Sequence, residues 1–301
     1  MSSQSNFHNW ISAARPRTLP LALSTISMGG FLSAAAGQFN LTVFLLCCLT
    51  ASLLQILSNL ANDYGDHVHG ADHTGRTGPS RSVQSGKISV ETMKKAVYLT
   101  AILSLLSGLS LLFTAFPESV LSVLFWTVIG LLSIGAAITY TSGSKPYGYI
   151  GLGDLSVFIF FGLVGVLGSR FVISGEIILS DFLPSISVGL LAVAVLNVNN
   201  VRDIESDRLA GKFSIPVRIG RKNAAIYHMF LLGISLACAS LHFYLSANPW
   251  VIFLILTPLF FKISQAVKSV PDHSLDPWLK KMAITTLIFV LLFGAGLLLG
   301  K

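Results

Sequence analysis

The chain has 301 residues, 53% hydrophobic and only 11% charged, far below the roughly 25% charged residues of a water-soluble domain. Its net charge of +7 is read as membrane topology, because the basic residues sit between apolar runs where they suit anionic lipid, and nucleic acid is set aside as a partner. Three cysteines, Cys47, Cys48 and Cys238, fall inside those runs with no CxxC or metal spacing, which leaves no disulfide framework or cysteine metal site to read.

Taken in order, residues 6–15, "NFHNWISAAR", place Trp10, Ile11 and Ala14 on one helical face and predict a helix lying on the membrane surface. Arg15 and Arg17 precede an apolar run containing Pro20 and Gly29-Gly30, so no cleaved leader is expected, although "SAAAG" at 33–37 imitates a cleavage site.

Apolar runs then recur at about 18–37, 41–61, 96–115, 119–141, 149–173, 182–202, 223–243, 248–267 and 282–300. Each reaches the roughly 20 residues that a bilayer requires. Because lipid offers backbone groups no hydrogen-bond partner, these nine runs predict an all-α polytopic membrane protein forming one domain over 1–301. With a cytoplasmic N-terminus, 18 of the 20 basic residues lie inside and only Arg170 and Lys301 outside, a strong positive-inside bias.

Six of the thirteen acids gather at the inner ends of the second and sixth runs. The first cluster is "NLANDYGDHVHGAD", in which Asn59, Asn62, Asp63 and Asp66 follow steps of three and four and share a helical face. Gly70 is expected to end that helix and let Asp72 turn back. The second is "NNVRDIESD", where Asn199, Asp203 and Asp207 share a face and Glu205 points elsewhere. A shift of 140 residues lays Asn59 on Asn199 and Asp63 on Asp203, a hint of a duplicated four-helix unit.

Two facing carboxylate clusters repel unless cations lie between them. Oxygen ligands suit Mg²⁺, which completes its shell with water and phosphate oxygens. Arg81, Lys87, Lys145, Arg202 and Arg208 lie near enough in sequence to hold the rest of a diphosphate. The loop "HTGRTGPSRSVQSGKIS" either wraps phosphate, with Arg81 and Lys87 as contacts, or merely connects. His67, His69 and His73 raise Zn²⁺ as an alternative. Acids at helix ends also have the plain reading of groups that solvate the membrane boundary.

In "YTSGSKPYGYIGLGD", Asp154 stands about a turn inside the fifth run, where an ionisable group is costly and marks function or a buried ion pair. Tyr140, Lys145 and Tyr147 either orient a polar aromatic substrate or belong to the interfacial aromatic belt. Gly162, Gly165 and Gly168 permit close helix packing or passage of a chain, with packing preferred.

As a set, these motifs resemble the UbiA superfamily of intramembrane aromatic prenyltransferases along essentially the whole chain. "NLANDYGDHVHGAD", "GPSRSVQSG", "YGYIGLGD" and "NNVRDIESDRLAGK" are most similar to the 1,4-dihydroxy-2-naphthoate polyprenyltransferases of menaquinone synthesis. The third acid of the first motif arrives two residues later than in the 4-hydroxybenzoate branch, at Asp72. Four residues rather than three separate Tyr140 from Lys145.

The resemblance implies a nine-helix bundle in the bacterial inner membrane with its site facing the cytoplasm. It also implies transfer of a polyprenyl group, octaprenyl in the family pattern, from its diphosphate to 1,4-dihydroxy-2-naphthoate with loss of CO₂. It assigns Mg²⁺ to Asn62, Asp63, Asp66, Asp72, Asn199, Asp203 and Asp207, and diphosphate to Asn62, Arg81, Lys87, Lys145, Asn199, Arg202 and Arg208. The aromatic substrate falls to Tyr140, Tyr147 and Asp154, and catalysis to Asp66, Asp72, Lys145, Asp154 and Asp203. Rival readings are another acceptor, 4-hydroxybenzoate or homogentisate, and a secondary transporter, which also places acids and amides in a helical bundle.

Overall fold

A computed structural model describes residues 3–70 and 81–301, and among them every regular element is helical. Nine of the helices are long and apolar enough to cross a membrane. The first helix, α1, is Ser3–Ala14, and α2 is Leu19–Ala35. They are separated at Arg15, which adopts a left-handed φ of 49° before the short turn Pro16–Thr18. Phe7 and Ile11 on α1 are exposed while Ala13 is buried.

The third helix, α3, spans Leu41–Val68 and begins where the Asn40 side chain accepts the Val43 amide. It ends at His69 and at Gly70, whose φ of 71° only glycine adopts freely. Thus α3 continues past residue 61, where its apolar run stops, and carries the first acid motif on its last two turns. Next come α4 (Val90–Ala115), α5 (Val120–Thr139) and α6 (Gly153–Ser174).

The second motif is split between α7 (Phe182–Arg202) and the short α8 (Ile204–Leu209). Asp203 is the junction, with φ −100° and ψ 11°. This corrects the expectation that Asn199, Asp203 and Asp207 follow one unbroken helix. The chain closes with α9 (Ile215–Leu245), α10 (Ile252–Ser269) and α11 (Asp276–Leu299).

Packing joins α7 to α9 and α6, α3 to α4, and α2 to α11. One apolar core fills the half formed by α7, α9, α10 and α11 and includes Phe243, Phe253, Phe260, Phe289 and Phe293. Leu57, Leu60, Val83, Ile88 and Met93 form a smaller one beneath the loop before α4. Outward positions carry large apolar side chains such as Leu121, Phe125, Phe230 and Ile255, as lipid contact demands.

Residues 158–168 of α6 form a π-helix, whose wider turn rotates residues three apart onto different sides. Gly162 therefore meets Gly189 of α7, Gly165 meets Thr25 of α2, and Gly168 meets Trp126 of α5. A Cβ on Gly162 would lie 2.9 Å from the Gly189 Cα. Gly162 serves close packing against Gly189, whereas Gly165 and Gly168 also line a cavity.

Candidate active site

Both acid motifs lie at the same end of the bundle. Asp66 on α3 is almost fully buried, and its Oδ1 accepts the Tyr149 hydroxyl at 2.8 Å with Lys212 Nζ at 3.5 Å. Its Oδ2 is paired with Arg81 Nη1, which also donates to the Asn62 carbonyl. Lys212 Nζ stands 3.8 Å from Asp207 Oδ1 and 5.2 Å above the Tyr149 ring. One ammonium group is thus flanked by a carboxylate from each motif.

The Tyr149 phenol is pushed above its ordinary pKa by burial and by the charge of Asp66, which keeps it a hydrogen-bond donor. Tyr140 is raised likewise by burial and by the charges of Asp207, Asp154 and Asp66. Gly65 allows this approach: a Cβ there would lie 2.5 Å from the Thr141 carbonyl. Thr141 in turn donates to the Asn62 side chain at 3.2 Å.

Asp63 does different work from Asp66. Its two oxygens accept the backbone amides of Ser82 and Val83 at 3.1 and 3.3 Å, and the residue is 1% exposed. It fixes the start of the loop that delivers Arg81. Asn59 ties α3 to the α1–α2 junction, donating to Ala14 O at 2.8 Å and to Thr18 Oγ1 at 2.9 Å.

Beneath this polar head lies a cavity of about 410 Å³. Its head is lined by Asn59, Asn62, Asp66, Arg81, Tyr140, Asn199 and Lys212, and its far end by Cys47, Leu112, Trp126 and Val172. On α3 the lining runs from Asp66 to Cys47, about 28 Å at the rise of an α-helix. Charge at one end and hydrocarbon along a membrane-deep shaft suit an amphiphile with an anionic head.

The structure brings Asn62, Asp66, Arg81, Asn199, Tyr140 and Tyr147 to the cavity wall. It leaves others away from it. Lys87, Lys145 and Arg208 are exposed outside the lining, and Arg208 pairs with the exposed Glu205 at 2.9 Å. Arg202 is 2% exposed and enclosed by Asp203, Asp276 and Asn199. Asp203 and Asp207 stand behind the lining, and Asp154 accepts the Tyr227 hydroxyl at 2.9 Å instead of facing the cavity. Asp72 and His73 lie outside the described residues.

Sequence reading missed Tyr149, Lys212 and Asp276. Lys212 was counted only as a topology charge. It returns to the acids because the turn after α8 bends at Gly211, φ 69°, with the Lys212 amide on the Asp207 carbonyl at 2.8 Å.

Among the described residues no three His, Cys, Asp or Glu side chains converge as a ready metal cluster. The ring nitrogens of His69 each lie 2.9 Å from a carbonyl oxygen, of Gly65 and of Gly143. The oxygen donors do fit Mg²⁺, which needs only one or two carboxylates when substrate oxygens and water complete its shell. Asp66 and Asp207, gathered about one positive charge, could supply that pair, with the Asn62 and Asn199 amides nearby on the wall.

Such a head and shaft are those of a membrane-embedded protein that could take a long-chain molecule with a charged head. The UbiA prenyltransferase family model matches residues 22–288, and the chain belongs to that family. It is 45% identical over 296 residues to the 1,4-dihydroxy-2-naphthoate octaprenyltransferase of Escherichia coli strain K12, covering 97% of this chain and 96% of that protein. The same-named protein of Haemophilus influenzae is 44% identical at the same coverage. A solved UbiA homologue from Archaeoglobus fulgidus, bound to GPP and Mg²⁺, shares the fold with TM-score 0.65 at 17% identity, covering 96% of this chain and 99% of that one.

Proposed function

We propose that the protein transfers a polyprenyl group, octaprenyl by likeness to its relatives, from the diphosphate to 1,4-dihydroxy-2-naphthoate, giving demethylmenaquinol, CO₂ and diphosphate for menaquinone synthesis. The convergence of Asp66 and Asp207 on Lys212 at the mouth of an apolar shaft carries this reading, and the names of the full-length relatives select the acceptor. The basic residues gathered at the acid-bearing end favour a bacterial inner membrane with that end and the N-terminus in the cytoplasm.

When bound, Mg²⁺ supplies charge neutralisation for a diphosphate leaving group. Asp66, Asp207, Asn62 and Asn199 would hold it. Arg81 and Lys212 reach the same place and stabilise the negative charge that develops as the allylic C–O bond breaks and its electron pair leaves with diphosphate. Tyr149 orients Asp66 by donating to it, and Asp63 holds the Arg81 loop. The shaft takes the prenyl chain and excludes the water that would capture an allylic cation.

Tyr140 and Tyr147 face the cavity beside the head, their rings 5.4 Å apart and edge to face. The Tyr147 hydroxyl is engaged by the Ala136 carbonyl and Ser156. They form the side against which the aromatic acceptor would lie, so that its electron-rich ring carbon forms the new C–C bond and the carboxyl departs as CO₂.

Product mass tests this. Membranes holding the protein, given 1,4-dihydroxy-2-naphthoate and octaprenyl diphosphate, should form a prenylated naphthol lacking the carboxyl with Mg²⁺ and none with EDTA. Turnover only with 4-hydroxybenzoate or homogentisate would remove the acceptor assignment. No turnover with any acceptor would return the transporter reading.

A further inference from the structure

A chain of alternating charges crosses the acid-bearing end of the bundle. Arg17 Nη1 donates to Asp276 Oδ2 at 2.6 Å, and Arg202 Nη1 donates to Asp276 Oδ1 at 2.6 Å. Arg202 then grips Asp203 with two bonds, Nε to Oδ1 at 2.8 Å and Nη2 to Oδ2 at 2.7 Å, and reaches Asn199 Oδ1 at 2.9 Å. Four segments meet here: the α1–α2 junction, the end of α7, the α7–α8 break and the first residue of α11.

The geometry needs an external anchor. Consecutive residues on an α-helix diverge by about 100°, and Arg202 and Asp203 pair where α7 ends between them. The guanidinium is 2% exposed, and a buried cation of this kind is held by its partners, not by solvent. Of the partners named above, Asp276 is the one brought in from another helix, 74 residues along the chain. Its first-turn position is favoured by the dipole of α11 and by Pro277 behind it.

We propose that Asp276 is a positioning residue for the second acid motif: by holding Arg202, it sets where Asn199 and Asp203 stand when Mg²⁺ and diphosphate bind. The inference rests on the function proposed above. Asp276 touches neither the cavity nor the reacting atoms; it acts through Arg202. Its charge also divides the attention of two guanidinium groups. Without it Arg202 loses one carboxylate partner, and an added net positive charge faces the incoming metal.

The test uses the purified full chain in detergent and reads its thermal unfolding midpoint while MgCl₂ is titrated in the presence of inorganic diphosphate. For Asp276→Asn the Mg²⁺ concentration giving half of the stabilisation should rise about tenfold, the scale on which residues behind metal ligands act. Arg17→Gln removes the other partner of Asp276 but leaves the Arg202 contact, so it should lower the ligand-free midpoint while moving the Mg²⁺ requirement less than about twofold.

A loss of ligand-free stability in Asp276→Asn with an unchanged Mg²⁺ requirement is what a simple tether gives, and overturns the assignment. Should that variant fail to accumulate as folded protein, Asp276→Glu is read instead. It keeps the charge but shifts the carboxylate, should raise the requirement about threefold, and sinks the assignment if it does not. A wild-type protein indifferent to Mg²⁺ and diphosphate overturns the metal reading and this inference with it, whereas a responsive wild type with an unmoved Asp276→Asn overturns the inference alone.

Discussion

Tyr149 donates its phenolic proton to Asp66 at 2.8 Å across 83 residues of sequence, joining the α5–α6 loop to the first acid motif. A hydrogen bond to a charged group contributes about 1.5–3 kcal/mol. Tyr149→Phe should therefore lower kcat/KM by at least about tenfold, since each 1.4 kcal/mol is a factor of ten. Because burial and Asp66 raise the phenol's pKa, wild-type Tyr149 stays protonated above its ordinary range, and the donated bond would be lost only as pH rises through that elevated value. The ratio of wild-type to Tyr149→Phe activity should be flat between about pH 7 and 9, below the ordinary tyrosine pKa of about 10. A ratio falling toward one in that interval would show that Tyr149 loses its proton there.

Asp63 and Asp66 are three residues apart on one helix yet serve different partners. Asp63→Ala leaves the Ser82 and Val83 amides without their acceptor and should cost about 1–3 kcal/mol of stability for each buried group left unsatisfied. Its Mg²⁺ requirement should not move. Asp66→Asn should do the reverse, abolishing turnover with the folded protein retained. Thermal unfolding and Mg²⁺-dependent turnover of both variants check the distinction, and a lost Mg²⁺ response in Asp63→Ala would place Asp63 among the ligands.

The nine spans and the two acid clusters are legible in the sequence because each rests on a local regularity, a long apolar run or a helical step of three and four. The division of labour within the clusters is not. Asp63 and Asp66 differ in direction by less than one helical turn, and only the return of the 81–83 loop decides which accepts backbone amides. The break at Asp203 carries no proline or glycine, and it coincides with contacts from Arg202 to Asp203 and to Asp276 on the last helix. Lys212 comes back to Asp66 through a turn after α8, and nothing near it in sequence names a carboxylate on α3. Pairings of this range depend on how helices pack, which helical periodicity does not encode.

Arg81 and Lys87 lie in the same polar loop, but only Arg81 reaches the cavity and the Asp66 carboxylate. Arg81→Met should lower kcat about a hundredfold or more, the scale of losing one preorganised donor to a developing anion. Lys87 is exposed, and Lys87→Met should stay within about twofold, as expected for a solvated surface charge. Both are measured at saturating Mg²⁺ and donor. Equal losses would mean that the loop closes over the head group far enough to bring Lys87 onto the diphosphate.

Gly130 and Gly135 on α5 offer a test of the shaft itself. A Cβ at either position meets nothing within 4 Å, but only Gly130 lines the cavity. It lies ten residues before Tyr140, about 15 Å below the head along the helix. Replacing glycine in a helix interior favours the helix by about 0.5–1 kcal/mol, so neither Gly130→Leu nor Gly135→Leu should unfold the protein. Gly130→Leu pushes a side chain into the path of a long tail and should raise the apparent KM for octaprenyl diphosphate about tenfold, the equivalent of about 1.4 kcal/mol. Dimethylallyl diphosphate, whose single isoprene unit stays near the head, should react as in the wild type, and Gly135→Leu should leave both donors unchanged. If Gly130→Leu accepts octaprenyl diphosphate with an unchanged KM, the prenyl chain leaves the head by another route and the shaft does not hold it.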